Sequence, residues 1–332
     1  MTSPLRISAV IPCHNGAEFL AEAIRSVQAQ TRPVQELIVV DDASMDDSAE
    51  IAERLGARVI RMPNNVGPSA SRNRGIREAR GDVVAFLDAD DYWMPEHCAR
   101  VVPLLEAYPQ CAVAFSRIRF VGDDDGAPAS PIHLPDDTPS WVLWRLIREN
   151  ILTQSAAIVR RATLQQHGGY DESRRYSEDY ELWLRLARDT QFVCTNAITV
   201  SYRLHPHQVS RDRARMVQGG WDVRYHFWKE ACLNESREFV ARLESLLSSM
   251  WNATLSSAWW TRNEDLFIAA LALHERIPNC ADVYKRWLRR YRLSWGGWVM
   301  LSKTWERLPR PTKEFAKPKL RAIFAPPRTG LG

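Results

Sequence analysis

Ala85-Phe86-Leu87-Asp88-Ala89-Asp90-Asp91 is the stretch whose reading decides the fold. Val83 to Leu87 is apolar and β-prone, and three carboxylates then fall within four positions. A buried strand that ends abruptly in clustered carboxylates resembles a ligand site at the carboxyl edge of an open α/β sheet, where such sheets place their ligands. Asp-x-Asp lets two side chains approach one hard cation, and Mg²⁺ or Mn²⁺ prefers carboxylate oxygen while leaving positions for phosphate. The competing reading is a solvated turn or a helix N-cap, where Asp is equally at home. The sequence on either side has to decide.

Residues 5 to 120 alternate between strand-like and helix-like segments. Ile7 to Ile11 is an apolar run stopped by Pro12. Phe19, Leu20, Ala23, Ile24 and Val27 then recur at helical spacing over Glu18 to Gln30. Leu37 to Val40 ends at Asp41-Asp42, and Asp46 or Asp47 can cap a helix closing at Gly56. Val59 to Met62 is followed by turn chemistry at Asn64-Asn65-Val66-Gly67-Pro68, and a helix from Ser69 to Arg80 closes at Gly81. This alternation predicts a mostly parallel sheet covered on both faces. Three of the four strands end in polar residues: Cys13-His14-Asn15, Asp41-Asp42 and Asp88-Ala89-Asp90. In a parallel sheet those ends share one edge, so the three together make a ligand edge where each alone could be a cap.

Further on, the pattern predicts a helix over Pro95 to Tyr108, a strand over Cys111 to Phe120 and a turn at Gly122 to Gly126. An irregular connection follows, with prolines at 128, 131, 135 and 139. Ser140 is expected to cap a short helix, Ser155 to Val159 to form another strand, and a helix to close at Gly168-Gly169. Beyond Asp212 the segments Met216 to Leu233, Glu235 to Trp260, Glu264 to Glu275 and Ala281 to Tyr291 carry helical spacing and few strand signals.

The chain has 332 residues, 45% of them apolar and 25% charged, which is ordinary for a globular protein with a main domain and an appendage. A net charge of +4 does not imply nucleic acid as a partner. Six scattered cysteines without a Cys-x-x-Cys pair argue against a disulfide framework or a zinc site and fit a reducing compartment. There is no signal-peptide pattern and no run of ~18 apolar residues, so a cytoplasmic protein is expected.

Val10-Ile11-Pro12-Cys13-His14-Asn15-Gly16, Val39-Val40-Asp41-Asp42-Ala43-Ser44, Asn64-Asn65-Val66-Gly67, Ser71-Arg72-Asn73-Arg74-Gly75 and Leu87-Asp88-Ala89-Asp90-Asp91 occur in this order. Together they resemble the family 2 glycosyltransferases, inverting sugar transferases of the GT-A fold, over roughly residues 5 to 210. The resemblance implies a Rossmann-like α/β domain with a mixed central sheet over residues 1–210, and a helical C-terminal region over 211–332. It implies transfer of a single sugar from a nucleotide-diphospho-sugar, UDP-linked by preference, to a hydroxyl of a glycan or lipid-linked acceptor in polysaccharide or glycoconjugate assembly. A hexosyl- or N-acetylhexosaminyl-transferase with Mn²⁺ or Mg²⁺ as cofactor is the class expected. The second reading is a non-catalytic sugar-nucleotide-binding or scaffold protein of the same fold.

The family's roles carry over residue by residue. Pro12 and His14 match the nucleotide pocket, although the family more often has tyrosine where His14 stands, which leaves the base less defined. Asp42 would accept a hydrogen bond from the base. Arg72, with Asn73, would open a helix beside the pocket and favour phosphate. Asp88 and Asp90 match the Asp-x-Asp around Ala89, with Asp90 on the cation, Asp88 on the ribose or a metal-bound water, and Asp91 capping the turn that follows. Ser177-Glu178-Asp179-Tyr180-Glu181-Leu182-Trp183 resembles the acceptor-side segment. Asp179 would be the general base, and Glu178 would hold the acceptor or tune Asp179. The bland alternative places both carboxylates on the first turn of an amphipathic helix. Tyr202-Arg203-Leu204-His205 resembles a basic segment that closes over the diphosphate, with His205 as its candidate. The Gln-x-x-Arg-Trp signature of processive synthases is absent, so one sugar per encounter is expected.

From Lys285 onward, thirteen Lys or Arg face two acidic residues, with Trp287, Trp295, Trp298 and Trp305 interleaved. Two readings stay open. Residues 285–332 could touch the inner face of a membrane peripherally, tryptophans at headgroup depth. They could equally be a packed helical cap with solvated arginines.

Overall fold

The computed structural model describes residues 3–122, 136–174, 176–206, 208, 212–260, 270–274, 277–278 and 280–292. β1 (Ile7–Cys13) is the strand around which the first half is arranged. Its Ile7, Ala9, Val10 and Ile11 are all fully buried, as expected of a parallel strand covered on both faces. β1 pairs in parallel with β2 (Glu36–Asp41) on one side and β4 (Val83–Phe86) on the other, and β3 (Arg58–Arg61) extends the sheet beyond β2. α1 (Leu20–Gln28), α2 (Ser48–Arg54) and α3 (Pro68–Glu78) cross between these strands. α1 buries Leu20, Ala23, Ile24 and Val27, the residues whose spacing marks the helix in the sequence. The order β3-β2-β1-β4 reverses direction at β1, and ligands of open α/β sheets bind at such a reversal.

Beyond β4 the sheet is mixed. The full order is β3-β2-β1-β4-β7-β6-β8-β5. β7 (Ala157–Arg160) runs antiparallel between β4 and β6 (Cys111–Gly122). β8 (Gln191–Leu204) lies parallel to β6, with register shifts near Cys111, Phe115 and Arg117 that mark bulges. The two-residue β5 (Tyr92–Trp93) closes the far edge antiparallel to β8. The sequence pattern alone predicted neither β5 nor β8. α4 (His97–Ala107), α5 (Leu143–Arg148), α6 (Arg161–Gln166) and α7 (Glu178–Asp189) complete this half. Ser140 does not cap α5: Val142 stands at the N-cap, and Ser140 bridges backbone to backbone with Phe192.

The chain divides into two units, Met1–Arg211 and Asp212–Gly332. In the second, Asp212 caps α8 (Arg213–Asn234) by accepting from the Arg215 amide at 3.0 Å. α9 (Arg237–Trp260) follows after a two-residue connection and buries Leu243, Leu247, Trp251, Leu255 and Ala258 along one face. In α10 (Ala281–Arg292), Trp287 is buried and donates to Asn252 Oδ1 at 2.9 Å, so this tryptophan belongs to the core of the unit. Among the described residues no helix is long and apolar enough to cross a membrane. Residues 123–135, with most of the expected turn and of the proline-bearing connection, most of the helix expected over Glu264 to Glu275, and the basic end from 293 lie outside the described residues.

Candidate active site

The ends of β1, β2 and β4 meet on one edge, since Cys13 is in register with Asp41 and the Leu87 amide bonds to Val10 O. The loops leaving that edge line a cleft of about 550 Å³. Pro12, His14 and Asn15 come from β1, Asp42 from β2, Asn65 and Gly67 from the turn before α3, Ser71 and Arg72 from α3, and Asp88, Ala89 and Asp90 from β4. His205 and Gln208 close it from the far side of the sheet. Asn15 and Ala43, just past β1 and β2, have φ of 52° and 56°, and Ser177 before α7 has 55°. Strained backbone of this kind persists where the surroundings fix it, typically at functional sites.

His14 donates through Nδ1 to the Asp42 carbonyl at 2.8 Å, and its Nε2 accepts from Asn15 Nδ2 at 3.1 Å, which sets one neutral tautomer. The two oxygens of Asp42 accept from the amides of Val66 and Gly67 at 2.9 and 2.8 Å, so this buried carboxylate shapes the turn that walls the pocket. Asp90 accepts from His205 Nε2 at 3.0 Å. Burial, and then the charge of Asp88, push the Asp90 carboxyl above its ordinary range. His205 also packs on the Phe19 ring, with centroids 5.0 Å apart.

α7 brings the second pair of carboxylates. Burial, reinforced by the charge of Glu178, raises Asp179 to about 7. Its Oδ1 accepts from the Tyr180 amide at 2.7 Å, and Asn150 Nδ2 stands 3.4 Å from Oδ2. Between the two acidic groups lies Arg72, only 5% exposed, donating to Asp88 Oδ1 and to Glu178 Oε1 at 2.7 Å each. Burial works against its charge, but Asp88 and Glu178 outweigh that and hold the guanidinium protonated. Asp88, Glu178 and Asp179 thus face one permanent cation.

These charges provide the test of whether a divalent ion suits the site. Among the described residues no group of three or more ligating side chains stands in metal-binding geometry. Mg²⁺ and Mn²⁺ bound to nucleotides need only one or two carboxylates, with phosphate and water completing the shell. Asp88 and Asp90 line one cleft, and their mutual repulsion shows in the raised Asp90, which a cation would relieve. His205 Nδ1 is buried there with no hydrogen-bond partner among the described residues. The residues fit such an ion.

Several sequence expectations are corrected at residue level. Arg72 and Asn73 do not open α3, which begins at Pro68; they lie a turn further in. Asn73 turns away from the nucleotide pocket and clamps the chain at Tyr170, donating to its carbonyl and accepting from its amide, both at 2.8 Å. Asp91 is no turn cap. It is buried and accepts from Ser155 Oγ at 2.5 Å and from the Arg203 amide at 2.9 Å, tying β4 to the end of β8. Arg203 was overlooked. Its guanidinium donates to the Asp90 carbonyl and to Glu22 and lies 4.8 Å over Phe19, so it anchors the segment that carries His205. An arginine two residues before His205, within a strongly β-branched run, was the available signal.

A sequence model described as glycosyl transferase family 2 matches residues 8–168. An uncharacterized glycosyltransferase of Rickettsia prowazekii is 25% identical over 316 residues, covering 87% of this chain and 98% of its own length. The succinoglycan biosynthesis protein ExoU of Rhizobium meliloti is 30% identical over 202 residues, 55% of this chain and 57% of its own. Among solved structures, S. aureus TarS 1–349 in complex with UDP-GlcNAc is similar with a TM-score of 0.65 at 20% identity, covering 84% of this chain and 83% of that one. That last likeness is one of fold.

Proposed function

The chain belongs, through residues 8–168, to glycosyl transferase family 2, and from that premise we propose that it moves one sugar from a nucleotide-diphospho-sugar to an acceptor hydroxyl with inversion. The observation that carries this reading is the pairing, through Arg72, of a donor-side carboxylate with an acceptor-side one next to a base of pKa about 7. A general base works best when its pKa lies near the operating pH.

In the proposed reaction the nucleotide lies against Pro12, His14 and the turn held by Asp42, with its diphosphate toward Asp88, Ala89, Asp90 and His205. Asp90 and Asp88 would hold Mn²⁺ or Mg²⁺, whose charge offsets that of the departing diphosphate. Asp179 takes the proton of the acceptor hydroxyl. The acceptor oxygen bonds to the anomeric carbon as the bond to the diphosphate oxygen breaks on the opposite face, and an α-linked donor gives a β-linked product. Glu178 keeps the neighbourhood of Asp179 anionic and so keeps the base poised for a proton. TarS binds UDP-GlcNAc and ExoU is named for succinoglycan biosynthesis, which supports UDP as the base carrier and a polysaccharide or glycoconjugate as the product.

Thermal-shift titration with UDP, GDP and dTDP, each with and without MnCl₂, tests the donor side. One diphosphate should raise the melting temperature, more so with Mn²⁺. No shift with any of them would contradict the reading.

A further inference from the structure

α3 is tied to the acceptor-side segment at three places along its length. Ser69 Oγ donates to the Arg174 carbonyl at 2.8 Å, Arg72 reaches Glu178, and Asn73 holds the Tyr170 backbone by both its polar groups. The helix is also seated on β1 so closely that a Cβ at Gly75 would stand 2.3 Å from Val10 Cγ1. The helix therefore cannot slide against the strand that carries the nucleotide pocket. Arg72 is the one of these residues that also reaches the donor side. Both terminal nitrogens are engaged by protein carboxylates, and its guanidinium lies 5.5 Å over the Tyr170 ring. A guanidinium is a rigid planar fork, so bonding one carboxylate at each terminal nitrogen sets the distance between those carboxylates. A side chain meant to grip a diphosphate would turn those nitrogens into the cleft.

We infer that Arg72 is a positioning residue, a buried strut that fixes Asp88 on the donor side against Glu178, and so against Asp179, rather than a ligand of the departing diphosphate. The inference rests on the glycosyl-transfer reading above and deepens it: the spacing between leaving group and base is built into α3. Asp179 itself is faced by Glu178 on its own helix, Arg72 on α3, Asp88 after β4 and the Tyr170 phenol. Loss of the strut removes the Arg72 cation from that group.

The experiment compares wild type with Arg72→Lys, Arg72→Met and Glu178→Gln. Calorimetric titration of UDP, GDP and dTDP with MnCl₂ is run first, followed by initial rates of transfer or donor hydrolysis across pH. The diphosphate that wild type binds should bind Arg72→Lys and Glu178→Gln within roughly threefold. Turnover should fall about 100-fold, the scale of a misplaced reacting group, with donor KM little changed. Arg72→Met should also move the rising limb of the pH profile upward, because Asp179 loses its facing cation, whereas Arg72→Lys keeps the charge and moves it less. Glu178→Gln keeps the arginine and removes the charge from one arm of the bridge. It should lower turnover while moving that limb downward, so that a folding defect of Arg72→Met does not decide the matter. Diphosphate affinity or donor KM weakened more than tenfold in Arg72→Lys would show a phosphate ligand and overturn the inference. A wild type that binds none of the three diphosphates would overturn the underlying reading instead, and the first titration tells the two failures apart.

Discussion

Asp179 has the two properties asked of a base: it is desolvated, and it lies beside a second carboxylate that raises its proton affinity to about 7. The rate with respect to acceptor should therefore climb as pH rises through about 7 and level off above it. A profile flat between pH 5 and 8 would exclude Asp179 as the titrating group. The sign for stability is opposite. A carboxylate whose folded pKa lies above its unfolded value contributes stability at low pH, and this is lost as pH rises from about 4 toward 7. The fold thus gives up stability at the pH where the base works. His205 is bound to Asp90 at 3.0 Å and packed at a tilt against Phe19, well placed at the diphosphate end of the cleft. His205→Ala should raise donor KM roughly five- to tenfold, the effect of one lost hydrogen bond. Unchanged donor KM and turnover would remove it from the site.

At the scale of elements, α3 is the piece on which the site depends. Gly75 lets it lie on β1, and Gly169, at φ +71°, lets the following segment meet Asn73, since a Cβ there would come within 2.3 Å of Asn73 Oδ1. Gly75→Ala should destabilise the fold by about 1–3 kcal/mol through overpacking against Val10. Adding Val10→Ala should recover part of the lost melting temperature, and strictly additive losses would show that the two do not touch. The strand ends and α1 were legible from sequence because apolar runs stopped at polar residues and one face recurred at helical spacing. β8 was not, because exposed Asn196 and Ile198 interrupt its buried run and it breaks register with β6 through bulges, which blurs its period. Among site residues, Asp88, Asp90, Glu178 and Asp179 were legible as acidic groups at element ends. What each bonds to was not. The partners of Arg72 are 16 and 106 residues away, and only the fold brings them to one guanidinium.

The whole molecule combines a mixed α/β unit that carries the entire candidate site with a helical unit whose described residues carry none of it. In the helical unit Trp287 is core, held by Asn252. Trp287→Ala should cost about 3–5 kcal/mol there, seen as loss of a helical melting transition while diphosphate binding by the first unit persists. The central claim concerns the first unit: Arg72 joins the donor cleft to the acceptor-side carboxylates, with Asp179 as the proton acceptor. The most direct measurement is release of nucleoside diphosphate from the donor by wild type and by Asp179→Asn, with diphosphate affinity measured on the same samples. The account predicts equal affinity and a rate at least about 100-fold lower in the variant. Full activity of Asp179→Asn would contradict it.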